Sequence, residues 1–269
     1  MEAELVVTDD RFQRTQGVLS TALIRQLEDI HILVAGVGGA GGQVAVDLAR
    51  LGFGYLTLCD FDVYERHNMN RQAGCFESTL GELKIDVMAR TCADINPKLQ
   101  IRRVPEGITE SNSAELLSGG AFPEPAFVVE VIDLAGVRAK IALHQACRAR
   151  GITAITGIML GFGGSVIVFR PDAPSYEQLF VRPDGRLDLA SAIPRTGSYF
   201  IQETLDACFQ GRGHAPTCVI GATTASALMI GEIMRGLLLG KESMTSWPEY
   251  LYIDFVDHVF IRDSFGSSR

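Results

Sequence analysis

The feature that most constrains the fold of this 269-residue chain is a run of glycines between a strand-like and a helix-like segment. Residues 32–35 form a short, continuous apolar run, as buried parallel strands do. The run stops at a GxGxxG sequence at residues 36–41, and residues 43–51 then show helical spacing of apolar side chains. Such a turn lets backbone N–H groups approach a phosphate, and the helix N-terminus adds a favourable dipole. The pattern predicts a nucleotide-binding turn that uses Gly36, Gly38, Gly39 and Gly41.

Strand-like and helix-like segments continue to alternate after this unit. This alternation predicts an α/β, Rossmann-like fold with a mostly parallel sheet and helices on both faces. Between Pro171 and Pro216 the pattern breaks down, which predicts an irregular crossover excursion with a short helix near Glu203. We expect one domain over residues 1–269, made of a helical lead-in at 1–30, a nucleotide-binding core at 31–170, the crossover at 171–216, and a helix with two strands at 217–269.

Composition narrows the classes of partner and location. The formal net charge is −8, from 24 Lys and Arg against 32 Asp and Glu, and this acidity makes nucleic-acid binding unlikely because that binding depends on phosphate neutralisation. Glu232 and Arg235 interrupt the apolar stretch at 219–240, so we expect a packed internal helix and no membrane span. The first ten residues lack a signal peptide pattern, and none of the six cysteines forms a CxxC pair. We therefore expect a cytoplasmic protein with reduced thiols.

A second strand-like run, residues 55–59, ends at Asp60, where a carboxylate would accept hydrogen bonds from ribose hydroxyls. With the glycines alone, NAD or FAD would be the default ligand. The residues that follow are unusually polar, however, and an enzyme that splits ATP needs such charge to stabilise the α-phosphate and the departing pyrophosphate. The residues concerned are Asp60, Asp62, Asn68, Asn70, Arg71, Gln72 and Lys84.

These motifs resemble those of the ThiF/MoeB/HesA-type activating enzymes, which are related to the adenylation domain of ubiquitin-activating enzymes. The resemblance extends over nearly the whole chain, from an Arg-Phe-Gln-Arg sequence at 11–14 to an aspartate and an arginine at 133 and 138. Members of this family use Mg-ATP to adenylate the C-terminal carboxylate of a ubiquitin-like or sulfur-carrier protein.

The resemblance implies a role for each matching residue. Asp60 would hold the ribose, and Asp62 would lie near the reacting centre. Asp133 would bind Mg²⁺, a hard cation suited to oxygen ligands. Arg14 would reach the ATP of a neighbouring subunit, so a homodimer is expected. The remaining polar residues would contact the triphosphate, with Arg71 and Lys84 stabilising the adenylation transition state; these contacts are Asn68, Asn70, Arg71, Gln72 and Lys84.

The chain also departs from the family pattern. Where many relatives carry the first of two CxxC pairs that hold a structural zinc, residues 175–178 read Ser-Tyr-Glu-Gln, so we expect no zinc. Leu134 replaces the family's asparagine after Asp133. Some relatives use a cysteine in the crossover to form a thioester or persulfide, which makes Cys208 a candidate nucleophile and Cys218 a second one. Positive charge from Arg212 or His214 would lower the pKa of such a thiol.

We therefore predict an enzyme that converts a carboxylate and ATP to an acyl-adenylate and pyrophosphate, with possible transfer to a thiol. Its partner would be a small ubiquitin-like or sulfur-carrier protein or a peptide. Within the family, a peptide- or tRNA-modifying activity is an alternative. From other classes, the alternatives are a nicotinamide-dependent oxidoreductase and a catalytically silent binding partner.

Overall fold

The structure, a computed structural model, describes residues 9–133, 136–180, 193, 196–210, 212 and 214–265. In this part of the chain, eight strands form one sheet. They are β1 (His31–Ala35), β2 (Tyr55–Cys59), β3 (Gln100–Val104), β4 (Phe127–Glu130), β5 (Thr153–Leu160), β6 (Gly163–Phe169), β7 (Glu249–Asp254) and β8 (Val259–Ser264).

The sheet has the order β3-β2-β1-β4-β5-β6-β7-β8. The first five strands in this order pair in parallel, and β6, β7 and β8 extend the sheet in antiparallel fashion. The predicted Rossmann-like α/β fold is thus confirmed. The strand order reverses between β1 and β4, so the carboxyl ends of these two strands border the crevice where open α/β sheets bind ligands.

Helices cover both faces of the sheet. Alternate residues of β1 face opposite sides, so Ile32 and Val34 join one apolar cluster and Leu33 and Ala35 the other. The helices α2 and α8 pack in the first cluster, and α4 and α5 in the second. The described helices are α1 (Thr21–Leu27), α2 (Gly39–Leu51), α3 (Lys84–Ile95), α4 (Ser113–Leu116), α5 (Val137–Arg150), α6 (Glu177–Phe180), α7 (Gln202–Phe209) and α8 (Val219–Leu239).

The helix α8 is long and apolar enough, by length and composition, to cross a membrane. The core helix of a soluble protein meets the same test, and α8 packs on α2, β5 and β6. Its buried Glu232 accepts a hydrogen bond from the Thr245 N–H at 2.8 Å. These contacts agree with the expected internal helix. Of its most apolar stretch of 18 residues, 44% is buried.

The expected crossover at 171–216 is described only in part. The helices α6 and α7 lie in it, and α7 is the short helix that we expected near Glu203. Residues 181–192, 194, 195, 211 and 213 lie outside the described part of the chain, as do 134 and 135.

Candidate functional site

The glycine turn, residues 36–41, is shaped by contacts that exclude side chains. Gly36 has a φ of +94°, and a Cβ on it would lie 2.7 Å from the Val131 carbonyl oxygen. A Cβ on Gly41 would lie 1.9 Å from the Gly36 carbonyl oxygen. The turn can therefore bend tightly against the segment after β4 only with glycine at these positions. The N-terminus of α2, which begins at Gly39, is thus directed at the crevice, as an anion site requires.

Asp60 lies beside the glycine turn at the end of β2. Its Oδ2 accepts a hydrogen bond from the Val37 N–H at 2.8 Å, and its Oδ1 accepts one from the Asp62 N–H at 2.9 Å. Burial raises the pKa of this carboxyl, and the two backbone hydrogen bonds oppose that shift. The carboxylate therefore joins the turn to the start of the loop that follows β2, and each oxygen keeps a lone pair for a ligand hydroxyl.

Arg71 and Gln72 fold back over the glycine turn. A Cβ on Gly39 would lie 3.5 Å from Arg71 Cγ, and a Cβ on Gly38 would lie 3.7 Å from Gln72 Nε2. Within the described residues, Arg71 Nε and Gln72 Oε1 are buried without a hydrogen-bond partner. Burial lowers the pKa of Arg71, and the Asp133 carboxylate opposes this. Unpaired buried polar atoms are rare in proteins, so their position here indicates a polar ligand.

Lys84, the first residue of α3, is held by Asp62. Lys84 Nζ donates to Asp62 Oδ2 at 2.8 Å, and the lysine side chain is only 7% exposed, whereas that of Asp62 is 52% exposed. The structure thus brings these two predicted site residues together. Because the aspartate is open to solvent, a phosphate could replace it as the partner of Lys84 at little cost.

The two predicted asparagines bond to the protein itself. Asn68 is buried, and its Oδ1 accepts a hydrogen bond from the Glu65 N–H at 3.0 Å, which closes a turn. Asn70 Nδ2 donates to the Thr217 carbonyl oxygen at 3.0 Å, and Asn70 Oδ1 accepts from Arg71 Nη1 at 2.8 Å. Asn70 therefore connects Arg71 to the chain just before α8. Their predicted contacts with a triphosphate stay predictions.

Asp133 is exposed and follows β4 at the opposite side of the crevice from the polar loop, residues 60–84. In the described part of the chain, no group of three or more His, Cys, Asp or Glu side chains could hold a metal ion. Mg²⁺ is commonly bound by one or two carboxylates together with substrate phosphates. Asp133 therefore fits Mg²⁺ only together with a bound nucleotide.

Arg14 lies far from the glycine turn of its own chain. The ring of Phe12 fills the space at Gly52, where a Cβ would lie 2.9 Å from Phe12 Cζ. Gly52 caps the C-terminal end of α2, whereas the glycine turn lies at its N-terminal end. A helix of 13 residues is about 20 Å long, more than an arginine side chain spans. Arg14, two residues after Phe12, therefore lies nearer to the C-terminal end of α2 than to the glycine turn of its own chain.

The two candidate cysteines lie in different environments. Cys208, on α7, is buried, and both burial and the Asp133 carboxylate raise the pKa of its thiol. Arg212, which we expected to supply positive charge, donates from Nε to Gln210 Oε1 at 3.0 Å. Cys218, at the N-cap of α8, contacts the Gly161 carbonyl oxygen through Sγ at 3.4 Å. A nucleophilic role for either thiol stays a prediction.

Sequence reasoning missed two residues near the crevice. Met159 Sδ would lie 2.8 Å from a Cβ on Gly39, so this side chain covers the start of α2. Glu130 has no predicted role in the sequence analysis, but it is a fully buried carboxylate at the end of β4. A charged residue inside an otherwise apolar strand was the signal that could have identified Glu130.

The chain is similar to known proteins in both sequence and fold. The chain matches the ThiF family over residues 12–258. It is 34% identical to tRNA threonylcarbamoyladenosine dehydratase of Escherichia coli (strain K12) over 60% of this chain and 59% of that protein. It is 31% identical to molybdopterin-synthase adenylyltransferase of Salmonella typhimurium over 57% of this chain and 59% of that protein. The alignments thus span less than two thirds of either relative.

The fold is similar to that of E. coli MccB, solved with ATP. That structure has a TM-score of 0.69 at 20% identity and covers 97% of this chain and 73% of MccB. At this identity the likeness concerns the fold alone. Because the family match extends over most of the residues, from the segment before α1 to the turn between β7 and β8, the chain belongs to the ThiF family.

Proposed function

We propose that this protein is an ATP-dependent adenylyltransferase that activates a C-terminal carboxylate on a small carrier protein or peptide. The observation that carries the proposal is the buried, unpaired donor Arg71 Nε beside a glycine turn at a helix N-terminus. A triphosphate supplies acceptor oxygens for the arginine and for the backbone N–H groups. Two of the relatives' names fit this activity, since molybdopterin-synthase adenylyltransferase and MccB with bound ATP are both similar to the chain.

In the proposed reaction, an oxygen of the substrate carboxylate attacks the α-phosphorus of ATP. The bond between this phosphorus and the bridging oxygen breaks, its electron pair leaves with pyrophosphate, and an acyl-adenylate forms. Arg71 and Lys84 would neutralise the charge that develops on the phosphate oxygens, and this is the main contribution that a protein makes to such transfers. Lys84 would exchange Asp62 for a phosphate oxygen, and Asp60 would orient the ribose.

Asp133 would hold Mg²⁺ together with phosphate oxygens of the nucleotide. A bound Mg²⁺ supplies charge neutralisation on the leaving pyrophosphate. The Asp133 carboxylate also opposes the lowering of the pKa of Arg71 by burial. Asp133 would therefore keep the metal and Arg71 on the same phosphate groups.

We also propose a homodimer in which Arg14 enters the crevice of the second copy. Support comes from the position of Arg14 two residues after Phe12, which packs at the end of α2 away from the glycine turn. An arginine contributed by another subunit can stabilise transition-state charge in phosphoryl transfer.

A second candidate function is adenylation of a carboxylate on a modified tRNA nucleoside. It is favoured by the 34% identity to a tRNA threonylcarbamoyladenosine dehydratase. The net charge of −8 is less favourable for tRNA than for an acidic or neutral protein. Both candidates require the same crevice and differ in the acyl substrate.

The test is exchange of labelled pyrophosphate into ATP, measured with a carrier protein, a peptide ending in a free carboxylate, and tRNA carrying the modified nucleoside. We expect exchange with one of them and a fall of about 10²–10³-fold in Arg71→Met, as for loss of one transition-state donor. A folded chain that binds NADH and supports no exchange with any substrate would contradict the proposal.

A further inference from the structure

A buried polar cluster lies behind the crevice, on the α5 side of the sheet. Its centre is Glu130, whose side chain is fully buried at the end of β4. The other members come from α5, from β5 and from the segment before α6. We call this set the Glu130 cluster; it consists of Glu130, Lys140, His144, Thr156 and Tyr176.

Both oxygens of Glu130 are fully engaged. Oε1 accepts a hydrogen bond from the Ile132 N–H at 2.8 Å and pairs with Lys140 Nζ at 3.3 Å. Oε2 accepts from Thr156 Oγ1 at 3.0 Å and from Tyr176 Oη at 3.2 Å. Although burial opposes ionisation, the Lys140 ammonium and a hydrogen bond from His144 hold the pKa of Glu130 at about 2. The carboxylate is therefore charged and fixed from several directions.

One of these bonds acts directly on the candidate site. The bond from the Ile132 N–H to Glu130 bends the chain just before Asp133. The same short segment packs against the glycine turn, because Glu130 pairs with Ala35 in the sheet and the Val131 carbonyl oxygen fills the space beside Gly36. A shift of Glu130 would therefore move the backbone that carries Asp133.

Stability alone does not require this cluster, because apolar residues of similar volume can replace a buried ion pair without loss. Metal ligands, in contrast, depend on the groups that orient them. We propose that Glu130 is a positioning residue, which holds the Asp133 carboxylate in the crevice through the hydrogen bond from the Ile132 N–H. This inference rests on the proposed function, since it assumes that Asp133 binds Mg²⁺ with a nucleotide.

The test measures binding of a fluorescent ATP analogue at increasing Mg²⁺, without acyl substrate, so that no turnover is needed. In Glu130→Leu/Lys140→Met the Ile132 N–H loses its acceptor, and because both charged side chains are removed, neither is left as an unpaired charge. We expect the Mg²⁺ midpoint to rise by about tenfold or more, as for loss of a group that orients a metal ligand. In Glu130→Gln/Lys140→Met the amide oxygen can still accept from Ile132, so we expect a midpoint close to that of the wild type. Thermal unfolding checks that both variants are folded.

Asp133→Asn separates the inference from the function on which it rests. If Asp133→Asn raises the midpoint but folded Glu130→Leu/Lys140→Met does not, the positioning role is wrong and the proposed function stands. If Asp133→Asn has no effect, the metal role of Asp133 is wrong and the inference fails with it. If the leucine variant does not fold, the glutamine variant provides the test. A Mg²⁺ midpoint in the glutamine variant as high as that of Asp133→Asn would contradict a role of Glu130 through the hydrogen bond from the Ile132 N–H. In the Asp133→Asn background, the Glu130 substitutions should add no further shift.

Discussion

Two buried lysines, one beside the crevice and one behind it, show how differently one residue type can be used. The side chains of Lys84 and Lys140 are 7% and 6% exposed, respectively, and each pairs with a carboxylate. The partner of Lys84, Asp62, is 52% exposed, whereas the partner of Lys140, Glu130, is fully buried. An ion pair that is open to solvent on one side can exchange partners at little cost, while a sealed one cannot. We infer that the first lysine is available to a ligand and that the second holds the structure.

The largest expected effect is on stability, from Lys140→Met. This change leaves the Glu130 carboxylate buried without its ammonium partner, and breaking such a pair costs about 3–5 kcal/mol. Urea unfolding measures the loss. Glu130→Leu/Lys140→Met should recover part of it, because both charges are then removed while the donors to Glu130 lose their acceptor. Lys84→Met serves as the matched control. If it lowered the free energy of unfolding as much as Lys140→Met does, the two lysines would not differ in this way.

The next effect is on activity, from Lys84→Met. This variant should lower pyrophosphate exchange by about 10²–10³-fold, since it removes one donor to the phosphate charge. Its free energy of unfolding should change by about 1 kcal/mol or less, because the partner is half open to water. Arg66→Gln is the control in the same loop, since Arg66 pairs with Glu77 at 2.5 Å on the exposed surface. An equal fall in exchange for Arg66→Gln would indicate a general effect of charge.

The buried ion pair of Glu130 and Lys140 should also contribute to the stability of the protein at acid pH. The pKa of Glu130 is lowered from 4.5 to about 2, so its contribution is fully present above the unfolded value and is lost as the pH falls toward 2. This linkage corresponds to about 3 kcal/mol, because one pKa unit is worth about 1.4 kcal/mol. Urea unfolding at steps between pH 7 and pH 3 should show a weaker pH dependence in Glu130→Leu/Lys140→Met than in the wild type. Parallel curves would mean that Glu130 is not the charged group we describe.

The smallest effect is expected from Cys208→Ala. Because burial and Asp133 raise the pKa of this thiol, it stays protonated at neutral pH and should not take part in adenylation. Exchange should stay within about twofold of the wild type, as for most changes that remove no charged contact. Transfer of the acyl group to a thiol, measured as a covalent enzyme adduct on denaturing gels, tests the nucleophile role separately. An adduct that survives in Cys208→Ala would rule that role out.

The sequence predicted the features that depend on local pattern. The glycine turn and the alternation of strands and helices were readable because each rests on neighbouring residues. The helix α2 nevertheless begins at Gly39, four residues before the apolar spacing that we used to predict it, because its first turn packs under Met159 and Arg71. The antiparallel direction of β6 was also not predicted, since strand direction depends on pairing partners far along the chain.

The hydrogen-bond partners of the site residues could not be predicted either, because they too lie far along the chain. The bond from Asn70 to the Thr217 carbonyl oxygen joins residues 147 positions apart, and no local pattern encodes it. The sequence therefore predicted that Asn70 and Arg71 belong to the site, but it assigned the contacts of both residues to a ligand. The Glu130 cluster was missed because its five members are spread over four segments.

The most direct measurement of the central claim is calorimetric titration of the purified chain with ATP and Mg²⁺, with NADH as the competing ligand. We expect that ATP binds, that Mg²⁺ tightens its binding through Asp133, and that NADH does not displace it. Lys84→Met and Arg71→Met should both weaken ATP binding while keeping the wild-type unfolding transition. Binding of NADH in place of ATP, or no binding of either nucleotide by the folded chain, would show that the crevice is not a triphosphate site.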